Sequence, residues 1–150
     1  MDDRLKDINI QSLLKKVTDK NTKHLNDIKT LEKGFEGATD GFWVWYISED
    51  YEYMSPKFKA ALGYTDEDFP NHPSMWQKLI FPEDLEIANK NFEEYVATKG
   101  EHKYHQVVNY YCKDGSVKKF ICRGEVIKWD GDKPVVMVGS HIDLTNIAGL

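Results

Sequence analysis

GFWVWYI, residues 41–47, places six apolar or aromatic side chains after one glycine in a 150-residue chain of formal net charge −5. Side chains alternate across a β-strand, so Trp43, Trp45 and Ile47 share one face while Phe42, Val44 and Tyr46 share the other. A strand with one wet face alternates apolar with polar residues, and this one does not. Both faces of the sheet that it joins therefore need cover, and the rest of the chain has to supply it.

The length fits one domain with an appendage, and a chain of this size buries roughly 70% of its unfolded surface. Twenty Lys and Arg against 25 Asp and Glu leave no broad basic footprint, which argues against nucleic acid and anionic membranes as partners. No stretch approaches the ~20 apolar residues of a membrane span. The charged start MDDRLKDINIQ lacks the apolar core of a secretory signal, so the expected location is cytoplasmic, without membrane contact. Cys112 and Cys122 flank the turn KDGS about 4 or 5 ladder positions apart, roughly 13–16 Å, too far for a disulfide. They have no metal-binding spacing and read as two small hydrophobes; no metal site is expected.

Upstream of the strand, Ile10, Leu14, Val17, Asn21, His24, Ile28, Leu31 and Phe35 recur at alternating steps of four and three. That is a heptad seam, interrupted by Asn21 and His24, and it predicts a coiled-coil-like dimerisation helix over residues 1–35. A helix broken near Asp19 to Thr22 that packs once on its own domain stays open as the alternative. Downstream, strands are expected at 42–47 and 51–55. Ser55 and Pro56 then start a helix that Gly63 ends. Three prolines keep 66–81 from forming any long helix, and an acidic first turn opens the next helix at Pro82. Two long strands follow, roughly 102–112 and 116–129, around Asp114 and Gly115, and then a last strand PVVMVGSHIDL. Neighbouring carboxylates such as Glu83 and Asp84 read as solvated helix surface. The order predicts an α+β fold with a five-stranded antiparallel sheet.

Five motifs in order over residues 36–146 resemble the PAS domain. They are the Trp-x-Trp first strand, MSPKFKAALGY at 54–64, SMWQKLIFPEDLE at 74–86, KDGS at 113–116 and VGSHIDLT at 138–145. Tyr46 departs from the family's usual Asp, and Phe81 from its usual His. The resemblance implies a sheet curled around a pocket walled by short helices, and no catalysis within the module. It implies that Trp43, Trp45, Met54, Phe58, Leu62, Trp76, Tyr110, Phe120, Met137 and His141 face the pocket. It also implies that Phe42, Val44 and Tyr46 lie under the leading helix or a second subunit, to which the heptad seam adds Ile10, Leu14, Val17, Ile28, Leu31 and Phe35 as interface residues. Asp143 and Thr145 would mark where a signal leaves the sheet, with residues 147–150 starting a linker to an output domain.

Other chemistry finds little support. Ser140, His141 and Asp143 look like a hydrolase triad, but strand neighbours point to opposite faces, so Ser140 cannot bond His141. Flavin-linked relatives carry a cysteine where this chain reads NHPSMWQKL, which argues against covalent flavin. The helix DLEIANKNFEEYVATK has no histidine, which argues against haem and leaves only His141 as a ligand. The expected function is a sensory or relay module of a bacterial-type signalling protein, a histidine kinase or diguanylate cyclase, binding an unknown small molecule or none. The alternative is a constitutive homodimerisation module whose aromatics fill the core.

Overall fold

A computed structural model describes residues 22–145 and 147. The chain divides into two units after Ala38. The first contains helix α1, Thr22–Ala38, which runs through Gly34 and Gly37 past the boundary expected at residue 35. A glycine lowers helix stability by only about 1 kcal/mol and does not by itself stop the chain. Leu31 is half-buried and Phe35 about half exposed. The seam positions Ile10, Leu14 and Val17 lie outside the described residues, as does the side chain of Ile28. Among the described residues no helix is long and apolar enough to cross a membrane.

The second unit is a five-stranded antiparallel sheet with helices between its second and third strands. Its elements are β1 Gly41–Tyr46, β2 Tyr51–Met54, α2 Pro56–Ala61, α3 Pro73–Leu79, α4 Pro82–Ala97, β3 Tyr104–Tyr111, β4 Val117–Asp130 and β5 Lys133–Asp143. The strand order is β2-β1-β5-β4-β3, so β1 is paired along both edges. In its register Trp43 lies between Met54 and Gly139, and Trp45 between Glu52 and Met137. These residues share the inner face with His141, Cys122, Gln106 and Tyr110. Gly115, at φ 88°, makes the tight turn between β3 and β4, a conformation that a side chain disfavours. Cys122 pairs with Gln106, six ladder positions from Cys112, so the two thiols lie roughly 20 Å apart, farther than the spacing alone indicated.

Helix α2 closes one end of the inner face. The fully buried Phe58 packs edge-on to Phe69, Tyr110 and Phe120 and stacks on His141 at 4.2 Å. Gly41 has no side chain because a Cβ there would overlap Phe58. Ser55 holds the first position before α2, as expected, yet its hydroxyl makes no bond to the helix. It accepts instead from Phe42 N–H at 3.0 Å and so stitches α2 to β1. Asp84 also corrects the expectation: it is buried, and its Oδ2 accepts from both Asn109 N and Asn109 Nδ2, tying α4 to β3.

On the outer face Phe42 and Val44 are half-buried, Tyr46 is 38% exposed and Val107 46% exposed. The cover required on both sides of β1 is thus complete at Trp43 and partial at its opposite neighbours. On the inner face the Trp43 indole lies across Gly124 and Gly139, which pair with each other between β4 and β5. A Cβ at Gly124 would sit 2.5 Å from Trp43 Cη2 and 2.8 Å from Cζ2, and one at Gly139 would overlap Cζ2, Cε2 and the Arg123 carbonyl. Gly139→Ala is accordingly expected to lower stability by about 1–3 kcal/mol through overpacking and to shift tryptophan emission, both read in urea unfolding. Unchanged stability would show that the indole does not need that space.

Candidate functional site

Between the inner face of the sheet and helices α3 and α4 lies a cavity of about 60 Å³. Of the residues expected to face a pocket, Trp43, Trp45, Met54, Trp76, Tyr110, Met137 and His141 line it. Phe58, Leu62 and Phe120 do not, because they interlock under α2 and make that end of the inner face solid. Gln77 and Asn89, both exposed, stand at its rim.

Glu52, Phe92, Tyr104, Gln106 and Cys122 complete much of the wall and were not anticipated. Alternation in YEYM did place Glu52 on the face of Met54, but a lone carboxylate on a short strand reads as solvent-facing. Here it is 6% exposed, and Trp76 Nε1 donates to its Oε1 at 3.2 Å. Burial pushes the carboxyl up to about 7, against a smaller opposing effect of the Trp76 bond. Burial likewise pushes the Cys122 thiol up to about 12, so it stays protonated and is no nucleophile.

His141 is buried and its Nε2 is 3.1 Å from the Tyr110 hydroxyl. Burial lowers its pKa to about 3, so the imidazole is neutral. Among the described residues four buried polar atoms lack a hydrogen bond of full geometry: Trp45 Nε1, His141 Nδ1, Trp43 Nε1, which has only the weakly accepting Cys122 thiol beside it, and Gln106 Nε2, which has the Tyr104 hydroxyl beside it. All four belong to residues that line this cavity.

The backbone of His141 leads to both ends of the sheet domain. Asp40 N–H donates to the His141 carbonyl at 2.9 Å, and Asp143 N–H donates to Asp40 Oδ2 at 2.7 Å. Asp143 Oδ1 then accepts from Thr145 N at 2.8 Å, while Thr145 Oγ1 accepts from Lys119 N. Asp40 just before β1, Asp143 at the end of β5 and Thr145 just after it are therefore bonded in one cluster.

The sequence profile of the PAS fold matches residues 51–141. The chain belongs to the PAS family. PAS domains are sensory modules and in general not catalytic. Among solved structures, this PAS domain is similar to a sensory box histidine kinase/response regulator from Burkholderia thailandensis, with 23% identity and a TM-score of 0.65 over 77% of this chain and 85% of that one. It is similar to the PAS domain of a protein from Colwellia psychrerythraea, with 20% identity and a TM-score of 0.61 over 79% of this chain and 97% of that one. The PAS domain of the fruit-fly ELK potassium channel gives 21% identity and a TM-score of 0.55 over 79% and 98%. These likenesses establish the fold. No curated protein matches the chain.

Of the shifted groups, Glu52 and His141 have opposite effects on stability between pH 4.5 and 6.5. The unfolded chain releases the Glu52 proton near 4.5 and the folded one near 7, so between those values the folded state holds more protons and stability falls as pH rises. For His141 the unfolded chain takes up a proton below 6.5 and the folded one only near 3, so stability falls as pH drops through that window. Between pH 4.5 and 6.5 they oppose each other. In Glu52→Gln the His141 contribution stands alone, and stability is expected to rise by roughly 2–3 kcal/mol from pH 4.5 to 6.5, measured by urea midpoints. A flat profile in that variant would contradict the burial of a neutral His141.

Proposed function

We propose that this PAS domain is the sensory module of a bacterial-type signal transduction protein, acting in the cytoplasm as a homodimer with a histidine kinase or diguanylate cyclase as its output. It binds a small molecule in the cavity beneath Trp43 and Trp45. The observation that carries this reading is the convergence on one cavity lining of four buried polar atoms that lack a hydrogen bond of full geometry, since buried polar groups are ordinarily satisfied. A molecule that bonds there touches His141, whose carbonyl holds Asp40, which in turn holds Asp143. The ends of the module thereby respond to occupancy, provided the ligand has unequal affinity for two arrangements of that cluster. The apolar outer face at Phe42, Val44 and Tyr46 supports pairing of two subunits.

The size of the cavity favours a second reading, a constitutive homodimerisation module with a filled core. Its 60 Å³ is well short of the engineered apolar cavity of about 150 Å³ that holds benzene. Native mass spectrometry separates the two. The sensory reading expects a dimer that retains a small molecule, and the second reading expects a dimer with the mass of polypeptide alone. A monomer would remove both. The pair Phe42→Asp and Tyr46→Asp is expected to convert the dimer to monomer with unchanged far-UV circular dichroism.

A further inference from the structure

Building on the ligand-binding reading above, we propose that the cavity accepts a small uncharged amide or urea, with Glu52 selecting for its N–H groups and against anions. The lining contains no lysine or arginine and one carboxylate. An anion there would be desolvated beside Glu52 with no counter-charge, the costliest arrangement for a buried ion.

The donors weigh against a simple cation, although Glu52 alone would welcome one. Indole Nε1 can only donate; that of Trp45 is buried without a partner, and that of Trp43 has only the weakly accepting Cys122 thiol beside it. Gln106 adds a third. Its Oε1 already accepts from Asn91 Nδ2 at 3.1 Å, which leaves its amino group, beside the Tyr104 hydroxyl, without a bond of full geometry. A cation brings donors only, so it would meet Glu52 and leave these three unsatisfied. A ligand that satisfies both sides needs an acceptor for the indole and Gln106 N–H groups and an N–H for the carboxylate.

Register sets how close those two functions must be. Trp45 is directly opposite Glu52 across the β1–β2 pair, which brings their Cβ atoms to roughly 5 Å. Side chains that start from neighbouring positions suit a ligand whose acceptor and donor are close together, as C=O and N–H are in an amide. Aromatic walls such as Trp45 against Phe92, 5.2 Å between centroids, favour a flat molecule. The volume limits it to something smaller than a benzene ring.

Acetamide, acetate and acetamidinium share one planar skeleton and differ in charge and in donors. Each is titrated at pH 8 into the ¹⁵N-labelled chain, and the indole N–H resonances of Trp43 and Trp45, assigned by Trp→Phe variants, are followed by NMR. Acetamide is expected to shift both resonances saturably at concentrations at least tenfold below either ion. In Glu52→Gln its preference over acetate is expected to fall at least tenfold; if that variant does not fold, the wild-type ratios decide. Equal or tighter binding of acetate or acetamidinium overturns the proposal. No saturable shift with any of the three, while native mass spectrometry retains some other molecule, overturns the amide assignment and leaves the sensory reading standing. No shift and no retained molecule means that ordered water alone meets these groups, and removes both.

Discussion

Much of this domain depends on the indole of Trp43 occupying the space above two glycines. Gly124 and Gly139 face each other across β4 and β5, and the missing Cβ atoms let a flat ring approach the backbone of both strands. A β-strand that slips by one residue exchanges its faces. For β1, apolar on both sides, hydrophobicity alone would barely oppose such a slip. The fit of Trp43 to the glycine pair does oppose it, because Phe42 or Val44 in that place would leave the slot badly filled. Once the register is fixed, Trp45 stands opposite Glu52, Gly41 opposite His141, and the polar groups of the cavity have their positions.

Helix α2 depends on the same strand. Phe58 fills the space at Gly41, and Ser55 bonds to Phe42 through both its backbone and its hydroxyl. The lysine that follows, Lys59, is fully buried and reaches Asp66 and Asn71 at 2.8 and 2.9 Å, so the loop after α2 is fastened to the helix and not merely draped over it. One end of the inner face is consequently rigid and aromatic. The cavity forms at the other end, under α3 and α4, where Glu52, Gln106 and the two indole N–H groups are gathered.

The strands and their faces were legible in the sequence because alternation is a strong local signal. Odd-numbered Trp43 and Trp45 do turn inward, and the Asp114-Gly115 turn does join β3 to β4. Partners at long range were not legible. Asp84 reads as one of two exposed acids at a helix start, and only the approach of Asn109 across the fold gives it two donors. Ser55 holds a helix-start position, but its hydroxyl finds a nearer donor on β1. Glu52 was missed because a charge is expected to seek water, and what keeps it in place is a tryptophan 24 residues away. Which inward aromatics line a cavity and which fill space is decided by packing depth, and that depth has no local signature.

The chemistry of the cavity has a further physical consequence. Glu52 and His141 are shifted in opposite directions by the same cause, removal from water, so near pH 6 both are neutral and the site carries no charge. Near pH 7 the carboxyl begins to ionise, and its one bond from Trp76 does little to satisfy a buried anion. A ligand N–H that stabilises the carboxylate must, by linkage, lower its pKa, and binding then releases a proton. Occupancy and ionisation of Glu52 are thereby two views of one equilibrium. Trp45 lies opposite Glu52 on β1, and β1 in turn pairs with the strand that carries His141 toward Asp143. On the sensory reading, this pairing is the route by which the charge state of Glu52 would reach the hydrogen-bonded cluster of Asp40, Asp143 and Thr145.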